Sequence, residues 1–387
     1  MNKGNAFVEV LLDVLINCSD TPSIVFFVLQ SNVVAWLEFK MKKNDLDSFR
    51  PPWYLRNGHL QTILTSRRML PTPSLHYEKV CVPLPNRGAT NVYVSEPEEK
   101  NTNRPTLLML HGLAGSSTSA YMIRIGRRAH DAGFRVIRVD MPGSGASAEL
   151  TDLPAHAGCS SEIAAVMIWL QNHLTIDRWI VGGFSLGGNV TLKLLSELHR
   201  NGPNSIAIEK AIVVAPPIDL HYCSRWMEKG VNRIYTNFFL KNLKTQRRRR
   251  AEKWPTWAAR PELPFPRSIR EFDDRHTAPL AGFRDVMDYY DQASTNNLLN
   301  MLHVKTSVLV DAHDPIVPFA IFNRAAWSKA VRVTVTKHGG HLGYIHRVDG
   351  KYRCWLDDWF MTQLLETLNA NVQIIADHET KMQEQCS

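Results

Sequence analysis

One serine stands between glycines in "GGFSLGGN", residues 182–189. A serine hydroxyl is a weak nucleophile at neutral pH. It needs a base to take its proton, an acid to orient that base, and N–H donors to hold a developing oxyanion. The sequence offers candidates for each part. For the acid, "VLVDAHDP" holds Asp311 at a strand end and Asp314 in the loop beyond. Asp314 is favoured, with Asp311 as the alternative; either could instead cap a turn. For the base, "TKHGGHLGY" holds His338 and His341. His341 is favoured because the paired glycines let the chain reach back over the sheet edge. His111, His303, His313 and His346 read as structural or surface histidines. The expected oxyanion donors are the backbone N–H groups of Leu186, after the nucleophile, and Leu113, with Ala114 as the fallback. The order Ser185, Asp314, His341 is the one that accompanies a G-x-S-x-G turn on an open parallel sheet.

Other chemistries fit less well. No G-K-[ST] supports a Walker A loop, and the glycines do not fit G-x-G-x-x-G. His338 and His341 form an H-x-x-H pair without a third ligand, so neither a metal nor an organic cofactor is expected. "DMPGSGAS" (Asp140–Ser147) reads as a tight turn bordering the pocket, with Asp140 in a structural role.

These residues need a scaffold, and the chain spells one out. "KVCVPL" and "NVYVSE" suggest an antiparallel opening pair. "TLLMLHG", "FRVIRVD", "RWIVGG" and "EKAIVVAPP" read as strands alternating with helices over "SAYMIRIGRRAHDAG", "SSEIAAVMIWLQNHL" and "GGNVTLKLLSELHRNG". The middle helix is expected to open on a serine cap. The rhythm breaks between about residues 219 and 302, in a stretch rich in Trp, Pro and Phe. It resumes with "TSVLVDAHDP", a helix through "FAIFNRAAWSKA", the strand "VRVTVT" and a final helix through "YRCWLDDWFMTQLLETL". Such alternation predicts an α/β fold with a mostly parallel sheet covered on both faces. The interruption reads as an insertion over the carboxyl ends of the strands, where open α/β sheets bind ligands. The expected divisions are an N-terminal extension over 1–48, the main domain over 49–368 with its cap near 219–302, and a tail over 369–387.

Composition adds limits. With 387 residues, 44% of them hydrophobic, no disulfide staple is needed. Cys18, Cys81, Cys159, Cys223, Cys354 and Cys386 are scattered and read as reduced thiols. The net charge of +8 owes much to "KTQRRRR", which reads as a solvated face. A peripheral contact with anionic membrane through Arg247–Arg250 is compatible with it. Nucleic-acid binding is not expected, for no recognition module accompanies the charge. "SIVFFVLQSNVVAWLEF" is broken by Gln30, Ser31 and Asn32 and lacks a basic leader. It reads as a soluble or peripheral segment, with an anchor as the alternative. The expected location is cytoplasmic, with or without membrane association.

The placed motifs resemble the α/β-hydrolase superfamily, and more narrowly the AB hydrolase 4 family of YheT-like and embryogenesis-associated-protein-like hydrolases. "FRPPWYLRNGHLQTIL", "HGLAGSS", "GGFSLGGN", "SIREFDDRHTAPLAGFRDVMDYY", "DAHDPIVP" and "HGGHLGY" carry the resemblance, over about residues 49–368. It implies an eight-stranded sheet with a helical cap, and a triad on Ser185, Asp314 and His341. It also implies carboxylester hydrolysis of short-chain acyl esters or monoacylglycerol-type lipids. Acyl transfer on the same triad, or a non-catalytic binding protein on the same fold, are the alternatives. "DMPGSGAS" departs from the family, where a more basic turn closer to "FRGCSG" is expected.

Overall fold

The computed structural model describes residues 49–66, 70–85, 87–98, 104–200, 206–261 and 264–368. The apolar N-terminal stretch, Cys18, Cys386 and the tail lie outside them. Eight strands form one sheet: β1 (Glu78–Pro83), β2 (Ala89–Ser95), β3 (Thr106–Leu110), β4 (Val136–Val139), β5 (Trp179–Phe184), β6 (Ile208–Val214), β7 (Lys305–Asp311) and β8 (Val331–Thr336). Their spatial order is β1-β2-β4-β3-β5-β6-β7-β8. β2 pairs antiparallel with β1 and β4; β4, β3, β5, β6, β7 and β8 run parallel.

The central strands are apolar throughout because both their faces are covered. Alternate residues divide between two cores. Leu108, Leu110 and Val181 face the helices Ser160–Leu174 and Leu186–Arg200, through Ile163, Val166, Met167, Leu170 and Val190. Leu107, Met109 and Ile180 face the helix Ala120–Asp131 and the helix over 355–368, through Met122, Ile125, Trp359 and Phe360. Each such fully buried side chain contributes roughly 1.5–3 kcal/mol. β8 is half exposed, as an edge strand should be.

Between β6 and β7 the chain leaves the sheet and builds a helical layer. Its longest helix, Arg233–Lys253, buries Tyr235, Phe239 and Leu240 in a third core with Trp257, Ile269 and Phe272. The segment Asp273–Thr277 winds as a π-helical turn.

Local expectations need correction in four places. First, the helix Ser160–Leu174 has Cys159 at its N-cap position with no side-chain cap, and Ser160 Oγ donates instead to Glu197 at 2.5 Å. Second, the helix after β7 is a single turn, Ala320–Asn323. Ser328 then bonds Leu299 and Leu302, which draws the chain away from a helical path. Third, Tyr352–Cys354 is not helical. It lies in β10 (Lys351–Cys354), paired with β9 (Ile345–Val348) around Asp349-Gly350, both at positive φ. Asp-Gly at that position is a hairpin signal. Fourth, Arg247–Arg250 is not a continuous basic face. The run is helical, so Arg247 and Arg250, three apart, turn inward and are 4% and 3% exposed. Arg250 donates to the carbonyls of Leu153 (2.8 Å) and Gly143 (2.9 Å), and its guanidinium lies 4.8 Å from the Trp257 ring centroid. Arg248 and Arg249 remain outside. A cation does therefore sit at the turn "DMPGSGAS", supplied by the cap rather than by the turn itself.

Candidate active site

β5 carries the chain to the carboxyl edge of the sheet, where it turns at Ser185 into the helix Leu186–Arg200. Ser185 has φ 51°, a left-handed conformation that costs a non-glycine residue about 1–2 kcal/mol. Hydrogen bonds hold it there. Its N–H donates to Val214 O at 2.8 Å and its carbonyl accepts from Gly188 N at 2.8 Å. The turn also needs bare neighbours. A Cβ on Gly183 would stand 2.6 Å from Gly187 O, and one on Gly187 would stand 2.5 Å from the carbonyl oxygens of Leu110 and His111.

Three side chains from three loops meet here. Ser185 Oγ lies 2.9 Å from His341 Nε2, and His341 Nδ1 lies 2.8 Å from Asp314 Oδ2. Their exposures are 8%, 9% and 5%, so water competes little for these bonds. The other oxygen of Asp314 accepts from Ile316 N and Val317 N at 2.8 and 2.9 Å. The carboxylate is thereby fixed by its own loop and aimed at the imidazole.

Asp311 stands elsewhere. Its Oδ2 accepts from Thr336 Oγ1 (2.6 Å) and Gly339 N (2.7 Å), and its Oδ1 from His313 N (2.9 Å). It braces the loop that carries His341 without touching the imidazole. His338 faces away, bonded to Arg56 O at 3.0 Å.

The loop after β3, where an oxyanion donor was expected, is set by groups that sequence reasoning treated as structural or passed over. Met141 N–H donates to His111 Nε2 at 3.1 Å, so the His111 proton sits on Nδ1 and goes to Gly112 O at 2.8 Å. Burial lowers the pKa of His111 and keeps it neutral. Gly112 N–H is taken by Tyr121 Oη at 3.0 Å. The next amide is that of Leu113, and both Leu113 and Leu186 line the cleft beside Ser185. Asp140 fastens the adjoining turn, accepting from Ser117 N at 2.7 Å and Ala146 N at 3.0 Å.

The base loop has a support that no local pattern announced. Gln61, fully buried, donates to Leu55 O and Ile345 O at 2.8 and 2.9 Å and accepts from Ile345 N at 2.7 Å. Thr62 Oγ1 accepts from His341 N at 2.9 Å. Both lie on the helix Gly58–Ser66. At the elbow, Asn189 Nδ2 donates to Ala157 O and Ala293 O at 3.2 and 2.8 Å, tying the helix that follows Ser185 to the layer between β6 and β7.

The cleft above Ser185 encloses about 730 Å³ including its mouth. Its wall is mainly apolar, with Leu220, Met227, Phe239, Leu243 and Ile316 prominent. Asp273 is the one carboxyl residue on it. Tyr290 Oη donates to Asp273 at 2.8 Å, and burial raises the Asp273 pKa to about 6. Among the described residues no group of three or more His, Cys, Asp or Glu side chains could hold a metal ion. Among them, too, no helix is long and apolar enough to cross a membrane.

Comparison with known proteins gives a consistent answer. The family profile described as the alpha/beta hydrolase fold matches residues 105–348. The chain is 29% identical to the Escherichia coli (strain K12) protein YheT, named as an esterase, over 82% of this chain and 94% of that one. It is 24% identical to mouse phospholipase ABHD3, over 67% of this chain and 63% of that one. It is 23% identical to human monoacylglycerol lipase ABHD2, over 75% and 72%.

Proposed function

Because the chain belongs to the α/β-hydrolase fold family, with AB hydrolase 4-like relatives, and is a serine-hydrolase-type enzyme acting on esters or lipids, we propose that it is a carboxylesterase working through Ser185, Asp314 and His341. The substrates are short-chain acyl esters or monoacylglycerol-type lipids. The observation that carries this reading is the unbroken hydrogen-bonded line from Ser185 Oγ through both imidazole nitrogens to Asp314.

The chemistry follows from that line. Ser185 Oγ attacks the ester carbonyl while His341 Nε2 takes its proton. Asp314 keeps the remaining imidazole proton on Nδ1 and stabilises the imidazolium. The carbonyl oxygen becomes an oxyanion held by the N–H groups of Leu113 and Leu186. Collapse breaks the bond to the alcohol, which leaves with the proton from His341. Water then attacks the acyl-serine, giving its proton to His341, and the carboxylic acid departs as that proton returns to Oγ. The apolar wall suits the acyl chain, and the named activities of the relatives support the substrate class.

A fluorophosphonate probe tests the assignment. It should label the wild-type protein and leave Ser185→Ala unlabelled. Hydrolysis of a p-nitrophenyl ester should fall by about four to six orders of magnitude in Ser185→Ala. Equal labelling of Ser185→Ala would sink the assignment of the nucleophile.

A further inference from the structure

The helix Arg233–Lys253 has two faces with different occupants. Its inner face is spoken for, with Phe239 and Leu243 lining the cleft and Arg247 and Arg250 buried below. Its outer face begins with Ile234 and Phe238, 57% and 54% exposed, and Val231 in the turn just before the helix is 62% exposed. The spacing i, i+3, i+7 stacks these three side chains on one stripe. At 100° per residue, Lys241, Thr245, Arg248 and Arg249 continue the same stripe toward the helix C-terminus, and all four are exposed. Lys229 and Arg233 flank its apolar end, and both are exposed. Five cations thus surround the apolar triplet, against Glu228 and Glu252.

We propose that this outer face docks on an anionic phospholipid surface, Val231, Ile234 and Phe238 entering the head-group boundary and the flanking cations meeting lipid phosphates and carboxylates. Apolar residues on one stripe with cations around them make an interfacial helix. Charge decides between occupants. A two-fold contact with a second copy would bring the same cations face to face, which opposes self-association. The surface differs from the arginine run as a unit, since Arg247 and Arg250 are internal. Its consequence is geometric: the helix on the bilayer is the same helix that walls the cleft. Docking stands independently of the ester-hydrolysis reading, because it is measured without turnover.

The experiment is co-sedimentation of the full-length protein with vesicles of phosphatidylserine and phosphatidylcholine, and with phosphatidylcholine alone. Wild type should bind the anionic vesicles more tightly, and added salt should weaken that preference. Val231→Ser/Ile234→Ser/Phe238→Ser should lower partitioning roughly 30-fold, the scale of three partly buried apolar side chains. Lys241→Glu/Arg249→Glu should remove the preference for anionic lipid. Circular dichroism and fluorophosphonate labelling should stay unchanged in both variants, since all five positions are exposed. Three results overturn the proposal: wild type that binds no vesicle, a triple variant that binds as well as wild type, or a wild-type dimer in solution that the triple variant breaks.

Discussion

At the scale of single residues, Ser185, Asp314 and His341 were legible as types in a meaningful order, since each follows its own strand. The choice between Asp311 and Asp314 was not fixed by spacing, because Asp311 ends β7 and Asp314 follows it by only three residues. What separates them is the set of donors each one meets: the amides of Ile316 and Val317 turn Asp314 toward the imidazole, whereas the Thr336 hydroxyl and the Gly339 amide occupy Asp311. His111 was invisible as a functional group because its work is done through backbone atoms of Gly112 and Met141. Asp273 gives a prediction at this scale. Its pKa is raised by burial from 3.8 to about 6. Well below pH 3.8 it is protonated in folded and unfolded chains alike and costs nothing. Between about pH 3.8 and 6 the unfolded chain ionises while the folded one holds its proton, so stability falls across that window, and above it the folded protein carries a poorly solvated anion on the cleft wall. Asp273→Asn keeps an acceptor for Tyr290 and escapes that cost. The melting temperature of the variant, relative to wild type, should rise by about 2–5 °C between pH 4 and pH 8. Calorimetry at the two pH values checks it; a difference independent of pH excludes the ionisation as the cause.

At the scale of elements, the alternation of apolar runs and helical patterns was readable because central strands are buried on both sides and show it in composition. The insertion between β6 and β7 was readable as a break in that rhythm, but its internal packing was not. Its helices pack on one another and on loops, so their faces follow contacts that no period reveals, and "QRRRR" looked solvated until the helical turn divided it. That division is testable. Arg250→Ala strands the carbonyls of Gly143 and Leu153 and removes the contact with Trp257. It should cost about 2–4 kcal/mol. Arg249→Ala, one residue away and exposed, should change stability by less than about 0.5 kcal/mol. Urea unfolding of the two variants side by side measures the contrast, and equal effects would contradict the inward placement of Arg250. The hairpin β9–β10 was legible after all in Asp349-Gly350, but the aromatic helical pattern behind it masked the signal.

At the scale of the whole molecule, the parallel sheet and its two covering layers follow from local patterns, whereas the contacts that close the structure do not. Arg124 and Asp357 form a buried pair at 2.7 Å between two helices on the same face of the sheet. Gln61 joins the helix Gly58–Ser66 to Ile345, 284 positions along the chain. Gln61→Ala should leave both polar groups of Ile345 unpaired and cost about 2–4 kcal/mol. Fluorophosphonate labelling should slow as the base loop loosens. Denaturant titration with parallel labelling kinetics tests both, and unchanged values would remove Gln61 from the support of His341. The same bond has a temporal meaning. As a ribosome makes the chain, the helix bearing Gln61 emerges well before its partner, 284 positions further on. The turn at Ser185 can form while the loop carrying His341 is still unmade, so a nascent or truncated chain ending before Ile345 carries Ser185 without that support. Contacts of such long sequence separation also close slowly. A chain truncated before Ile345 should therefore label slowly with a fluorophosphonate probe even though it contains Ser185.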